Sequence, residues 1–214
     1  MKIVYSDKHA AHDPQTFFVR GVNRPAAEQP ERAERLLGAA TEGFLALAPD
    51  GLFPAGGYPG NDDDGRELQA KLDQAKLRTD MVNSAIYLKK HQLSSGKLGV
   101  TGFCWGGGTT NWLATALGAD MQAGVPYYGA AAETASVPQI KAPLLIQYAE
   151  NDERINAMWP EYEAALKAAG ASYEKYTYPG TQHGFHNNST PRYKEAAAKL
   201  AWERTIGLFK KTLV

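Results

Sequence analysis

Leu98-Gly99-Val100-Thr101-Gly102-Phe103-Cys104-Trp105-Gly106-Gly107-Gly108 decides how this chain is read. A short apolar run feeds a glycine-lined turn holding the only cysteine of the sequence, and a helix-compatible stretch follows. A nucleophile held at a tight strand-to-helix turn takes a strained backbone. Gly102 and Gly106 are expected to remove the Cβ atoms that would collide as the chain reverses. The Cys104 thiol is then pushed out over the edge of a sheet, in front of the unpaired N–H groups of the following helix. Such a terminus favours thiolate over thiol. A lone cysteine is more often a small buried hydrophobe, so the glycine frame needs support from elsewhere in the chain.

Outward from this turn, strand-like and helix-like segments alternate, which predicts an α/β domain with a mostly parallel sheet flanked by helices. Strands are expected at Phe44 to Ala48, Gly124 to Gly129, Pro143 to Ala149 and Tyr173 to Tyr178. Amphipathic helices are expected over roughly Asp63 to His91, Gly107 to Leu117, Pro160 to Ala169 and Pro191 to Leu213. The 214 residues, 43% of them hydrophobic, suit a single domain with a real core. Lysine plus arginine and aspartate plus glutamate both number 23, so no net basic field gathers nucleic acid or an anionic membrane. No apolar stretch approaches the ~20 residues of a membrane span. With one cysteine and hence no internal disulfide, a reducing, cytoplasmic setting and a small-molecule partner are expected.

Ligands of parallel sheets bind at the carboxyl ends of the strands. Two loops there carry suitable groups. Glu150-Asn151-Asp152-Glu153-Arg154 places Asp152 after one strand, and Pro179-Gly180-Thr181-Gln182-His183-Gly184-Phe185-His186 places His183 after the next. The order nucleophile, acid, histidine is that of hydrolases built on an α/β sheet. Asp152 also reads as a cap ahead of Ile155, with Glu150 and Glu153 solvated, and His183 as an ordinary turn residue. His186 competes for the base role but ranks as a loop or rim histidine. Arg78 with Asp80 and Arg154 with Asp152 are possible ion pairs of small value. Trp112 and Trp202 are assigned to packing, while Tyr58, Tyr127 and Phe185 sit where pocket lining and packing are equally plausible.

Gly102-Phe103-Cys104-Trp105-Gly106-Gly107, the Asn151-Asp152 turn and Pro179-Gly180-Thr181-Gln182-His183-Gly184-Phe185 together resemble the dienelactone hydrolases of the α/β-hydrolase fold. The similarity covers about residues 43–214 and includes Ala48-Pro49-Asp50 and the loop Gly56 to Gly60. It implies a Cys-His-Asp triad that cleaves an ester or lactone through an acyl-enzyme, with no metal and no organic cofactor. The nucleophile falls on Cys104, the general base on His183 and the orienting acid on Asp152. The backbone N–H of Trp105 is the expected oxyanion donor.

The first 40 residues depart from that family's pattern. Met1 to His9 and Gln29 to Arg35 resemble the start of an acetylpolyamine amidohydrolase or related zinc deacetylase, with a join near Ala40 to Gly43 and none of that family's zinc-binding motifs. Residues 1–42 are thus an atypical, shortened N-terminal segment. Phe17 to Val22 is the expected filler of the sheet slot between the Phe44 strand and the Cys104 strand. Ile3-Val4-Tyr5 is placed beside it, a helix begins at Pro30, and Asn23 to Ala26 would offer a second oxyanion donor. A shortened sheet leaves an edge to be covered, so a homodimer is expected, and a clean monomer in light scattering would count against it. Alternatives to a cysteine-dependent esterase are a catalytically impaired binding or scaffold domain and, more remotely, a zinc deacetylase.

Overall fold

The computed structural model describes residues 16–19, 22–25, 42–57, 59 and 62–214. The expected strand at Ile3-Val4-Tyr5, the helix start at Pro30 and the side chain of Tyr58 lie outside the described residues. The chain divides into two compact units, residues 1–94 and 95–214.

In the first unit, β1 (Thr16–Val19) pairs antiparallel with β2 (Val22–Pro25), in register Thr16 with Pro25 and Val19 with Val22. The expected strand Phe17 to Val22 is therefore divided between two strands that pair with each other, not one strand filling a slot in a larger sheet. Phe44 to Ala48 is not a strand. Two of its five residues are alanine, a weak strand former, and Leu47 is exposed. Beyond Pro49, Asp50 turns the chain by accepting the Leu52 N–H at 2.9 Å.

The expected helix over Asp63 to His91 is two helices, α1 (Asp62–Lys71) and α2 (Gln74–Lys90). Asp73 causes the break. Its carboxylate accepts the N–H groups of Ala75 and Lys76 at 2.9 and 3.1 Å, a helix start embedded in an apparently continuous pattern. Leu77 and Met81 form the buried face of α2. Asp80 pairs with Lys76 one turn earlier, not with Arg78.

The second unit holds the site. Its sheet is wholly parallel, ordered β3 (Gly99–Phe103), β4 (Ala123–Tyr127), β5 (Leu144–Asn151), β6 (Tyr173–Gln182). Four α-helices belong to it: α3 (Trp105–Leu117), α4 (Glu153–Asn156), α5 (Trp159–Ala168) and α6 (Glu195–Leu213). β4 is buried throughout and β5 over its first six residues, as strands covered on both faces should be.

Alternation along β5 sorts the layers. Gln147 faces α6, where its amide donates to the Ala201 carbonyl at 3.1 Å, and Tyr148 on the other face meets Trp159 of α5. Tyr162 of α5 donates to Asn111 of α3 at 3.2 Å, which places α3 and α5 on the same face. At their carboxyl ends β5 and β6 slip in register between Ala149 and Asn151, where Asn151 pairs with Gln182. Such an irregularity re-aims the residues after it. Asp152 and His183 are the next residues of the two strands.

Candidate active site

Cys104 caps the start of α3 with φ 56° and ψ −113°, a left-handed conformation unusual for a residue with a side chain. Backbone bonds over-determine it. Its N–H donates to the Tyr127 carbonyl at 3.1 Å, and its carbonyl accepts the Gly108 N–H at 3.1 Å. The thiol is left exposed. A Cβ on Gly102 would overlap the Gly106 carbonyl, so Gly102 is required as expected. Gly106 is not, because a Cβ there would meet nothing. The second constraint belongs to Gly107, whose Cβ would strike the Tyr127 carbonyl, and to its neighbour Gly129.

Asp152 stands at the N-cap of α4, yet its side chain makes no cap bond. One carboxylate oxygen meets His183 Nδ1 at 2.5 Å, and the Asp152 side chain is only 6% exposed. The expected Asp152–Arg154 pair is replaced by this contact. The loops carrying the two residues are laced together through Glu150, which is exposed as the sequence suggests yet bonds the neighbouring loop, and the Asp152 loop is braced by Asn156. Glu150 accepts the Gly180 N–H at 2.8 Å, and the Glu150 N–H donates to the Thr181 hydroxyl at 3.3 Å. Asn156 donates to the carbonyls of Ala149 and Glu150, each at 3.0 Å. The signal for these roles was proximity to the two strand ends, not residue type.

The hydrogen bond to His183 holds the Cys104 thiol below its ordinary value. The His183 charge, the Trp105 N–H and the Arg154 guanidinium act in the same direction, against partial burial. His183 is correspondingly raised, first by its hydrogen bond with Cys104 and then by Asp152, again against partial burial. Both shifts favour a thiolate beside an imidazolium. With Nδ1 committed to Asp152, Nε2 is the ring nitrogen available for proton transfer. Among the described residues no three His, Cys, Asp or Glu side chains come together as a metal site would need.

The aromatic assignments change. Tyr127 and Phe185 are fully buried core residues rather than pocket lining, and His186 is 5% exposed rather than on the rim. Tyr128, at φ 35°, sets its ring edge-on to His183 at 5.0 Å. Trp105 is largely exposed beside the thiol, while Trp202 packs towards His186. An open depression beside Asp152 is lined by Glu150 to Arg154 and Asn156.

A family model described as the dienelactone hydrolase family matches residues 19–213. A protein of Salmonella typhi, provisionally named carboxymethylenebutenolidase, is 32% identical over 185 residues, covering 79% of this chain and 68% of its own. One of Yersinia pestis with the same provisional name is 28% identical over 221 residues, covering 97% of this chain and 81% of its own. The crystal structure of a provisionally described dienelactone hydrolase from Klebsiella pneumoniae superposes with TM-score 0.73 at 26% identity, covering 92% of this chain and 97% of that one. The match begins at residue 19, so the family likeness starts well ahead of the join expected near Ala40 to Gly43. With the strand order, the strained Cys104 turn and a family match over nearly the whole length, the chain belongs to the dienelactone hydrolase family.

Proposed function

We propose that this hydrolase cleaves carboxylic esters or lactones through a Cys104–His183–Asp152 triad and a covalent acyl-enzyme. The observation that carries the reading is the 2.5 Å hydrogen bond between His183 Nδ1 and Asp152, with the Cys104 thiol set at a helix start where His183 lowers its pKa. The thiolate attacks the carbonyl carbon and the electron pair moves onto oxygen. The Trp105 N–H, already directed at Cys104, donates to that oxyanion. As the C–O bond breaks, His183 passes its proton to the departing alkoxide, leaving a thioester. His183 then takes a proton from water, the resulting hydroxide attacks the thioester, and the thiolate departs. Asp152 holds the imidazole orientation and stabilises its positive form throughout.

The name borne by the Salmonella and Yersinia relatives makes a small butenolide lactone the first substrate to try, beside a short-chain aryl ester. Turnover is expected to fall by at least about 10³-fold in Cys104→Ala, to die with thiol alkylation and to be indifferent to chelators. Chelator-sensitive deacetylation would replace this reading with a metal-dependent one. No ester or lactone turnover despite a reactive thiol would replace it with a binding domain.

A further inference from the structure

His186 lies three residues beyond His183 and takes no part in the proton chemistry above. Its ring is 5% exposed and boxed by aromatic residues from three elements. Phe103 of β3 stacks on it at 4.8 Å and 26°, Tyr127 of β4 meets it edge-on at 4.9 Å, and Trp202 of α6 stands 6.1 Å away. Two of these plates also fix the Cys104 backbone. Phe103 precedes Cys104 directly, and the Tyr127 carbonyl takes the Cys104 N–H.

On its other side His186 belongs to the wound turn that presents His183. Phe185 N–H donates to the Gln182 carbonyl at 3.0 Å, Asn187 N–H to the Gly184 carbonyl at 2.8 Å, and Lys194 N–H to the Phe185 carbonyl at 3.0 Å. In a turn so bonded, the His186 ring is a buried anchor beside the fully buried Phe185. One buried ring therefore joins the strand end of Cys104 to the turn of His183, by a route separate from the electrostatic coupling of the two side chains. Stacked and edge-on rings constrain angle as well as distance, which an aliphatic filler of equal volume does not.

We infer that His186 is a positioning residue whose ring, clamped by Phe103, Tyr127 and Trp202, holds the His183 turn within hydrogen-bonding reach of Cys104. The inference rests on the reading of Cys104 and His183 as nucleophile and base. It is tested by the pH dependence of Cys104 alkylation with iodoacetamide, together with steady-state hydrolysis of a short-chain aryl ester, in the wild type, His186→Ala and His186→Phe. Circular dichroism establishes that each variant is folded.

The wild-type alkylation midpoint is expected below the ~8.5 of a free thiol. In His186→Ala it rises towards that value, and kcat falls by about 10²-fold while KM changes little, as misplacement of a reacting pair predicts. His186→Phe keeps the plate and regains most of both. A folded His186→Ala matching the wild type overturns the inference, and so does a His186→Phe as impaired as His186→Ala. Should His186→Ala not fold, Phe103→Leu strips the stacked plate from the other side. Its midpoint should rise and its kcat fall in the same directions, and wild-type values there overturn the inference equally. An ordinary midpoint in the wild type overturns the reading of Cys104 and His183 itself.

Discussion

At the residue scale the site turns on where one proton sits. Cys104 is lowered and His183 raised, so the two shifts converge and favour the thiolate–imidazolium pair over the neutral one. In the proposed mechanism a protonated thiol at low pH does not attack, and a deprotonated His183 at high pH has no proton for the leaving alkoxide. A bell-shaped kcat/KM profile is expected, its acidic limb below the ordinary thiol range and its basic limb above the ordinary histidine range, and titration of ester hydrolysis checks it. The stability sign follows from the same shift. Because His183 is raised on folding, its contribution is complete below the unfolded histidine value and disappears as pH rises through the folded one. Cys104→Ser moves the nucleophile to a hydroxyl of far higher pKa, and most activity should be lost, while undiminished turnover would sink the thiolate argument.

At the element scale the Cys104 turn is a close packing of backbone on backbone. Gly102→Ala drives a Cβ into the Gly106 carbonyl, where neither group is a flexible side chain that can yield. A loss of about 1–3 kcal/mol or more in urea unfolding, with loss of activity, is expected. Gly106→Ala meets open space inside a helix and should instead be neutral or gain up to about 1 kcal/mol, although the motif pattern alone makes the two glycines look alike. That contrast marks what was legible. Gly124 to Gly129, Pro143 to Ala149 and Tyr173 to Tyr178 are strands because short apolar runs bounded by turn residues have few other fates in an α/β chain. Phe44 to Ala48 shows the same pattern without becoming a strand, since pairing is decided by a neighbour that a local run does not reveal. The break at Asp73 was readable as an N-cap but was hidden by helical periodicity on both sides of it.

At the scale of the whole second unit, α6 is tied to the sheet by a polar relay that no local pattern discloses. Three elements far apart in the chain contribute to it. Tyr178 of β6 donates to the Gln147 side-chain carbonyl of β5 at 2.5 Å, and its hydroxyl accepts from Arg204 of α6 at 3.0 Å. The Gln147 amide continues the relay to the Ala201 carbonyl, which also accepts the Thr205 hydroxyl at 2.8 Å. Gln147 is wholly buried, so each of its polar atoms must be satisfied within this relay. The Tyr178 ring also stacks near Phe185 at 5.0 Å, which places the relay directly beneath the turn that carries His183. Tyr178→Phe keeps that ring contact but strands the Gln147 carbonyl without its donor, and should cost about 1–3 kcal/mol in urea unfolding. Adding Gln147→Leu removes the stranded acceptor as well. The Ala201 carbonyl keeps its bond from Thr205 and the leucine fills the space, so the double variant should recover much of that loss. Two costs that simply add would show that the groups act independently and that the relay contributes no coupling between α6 and the sheet.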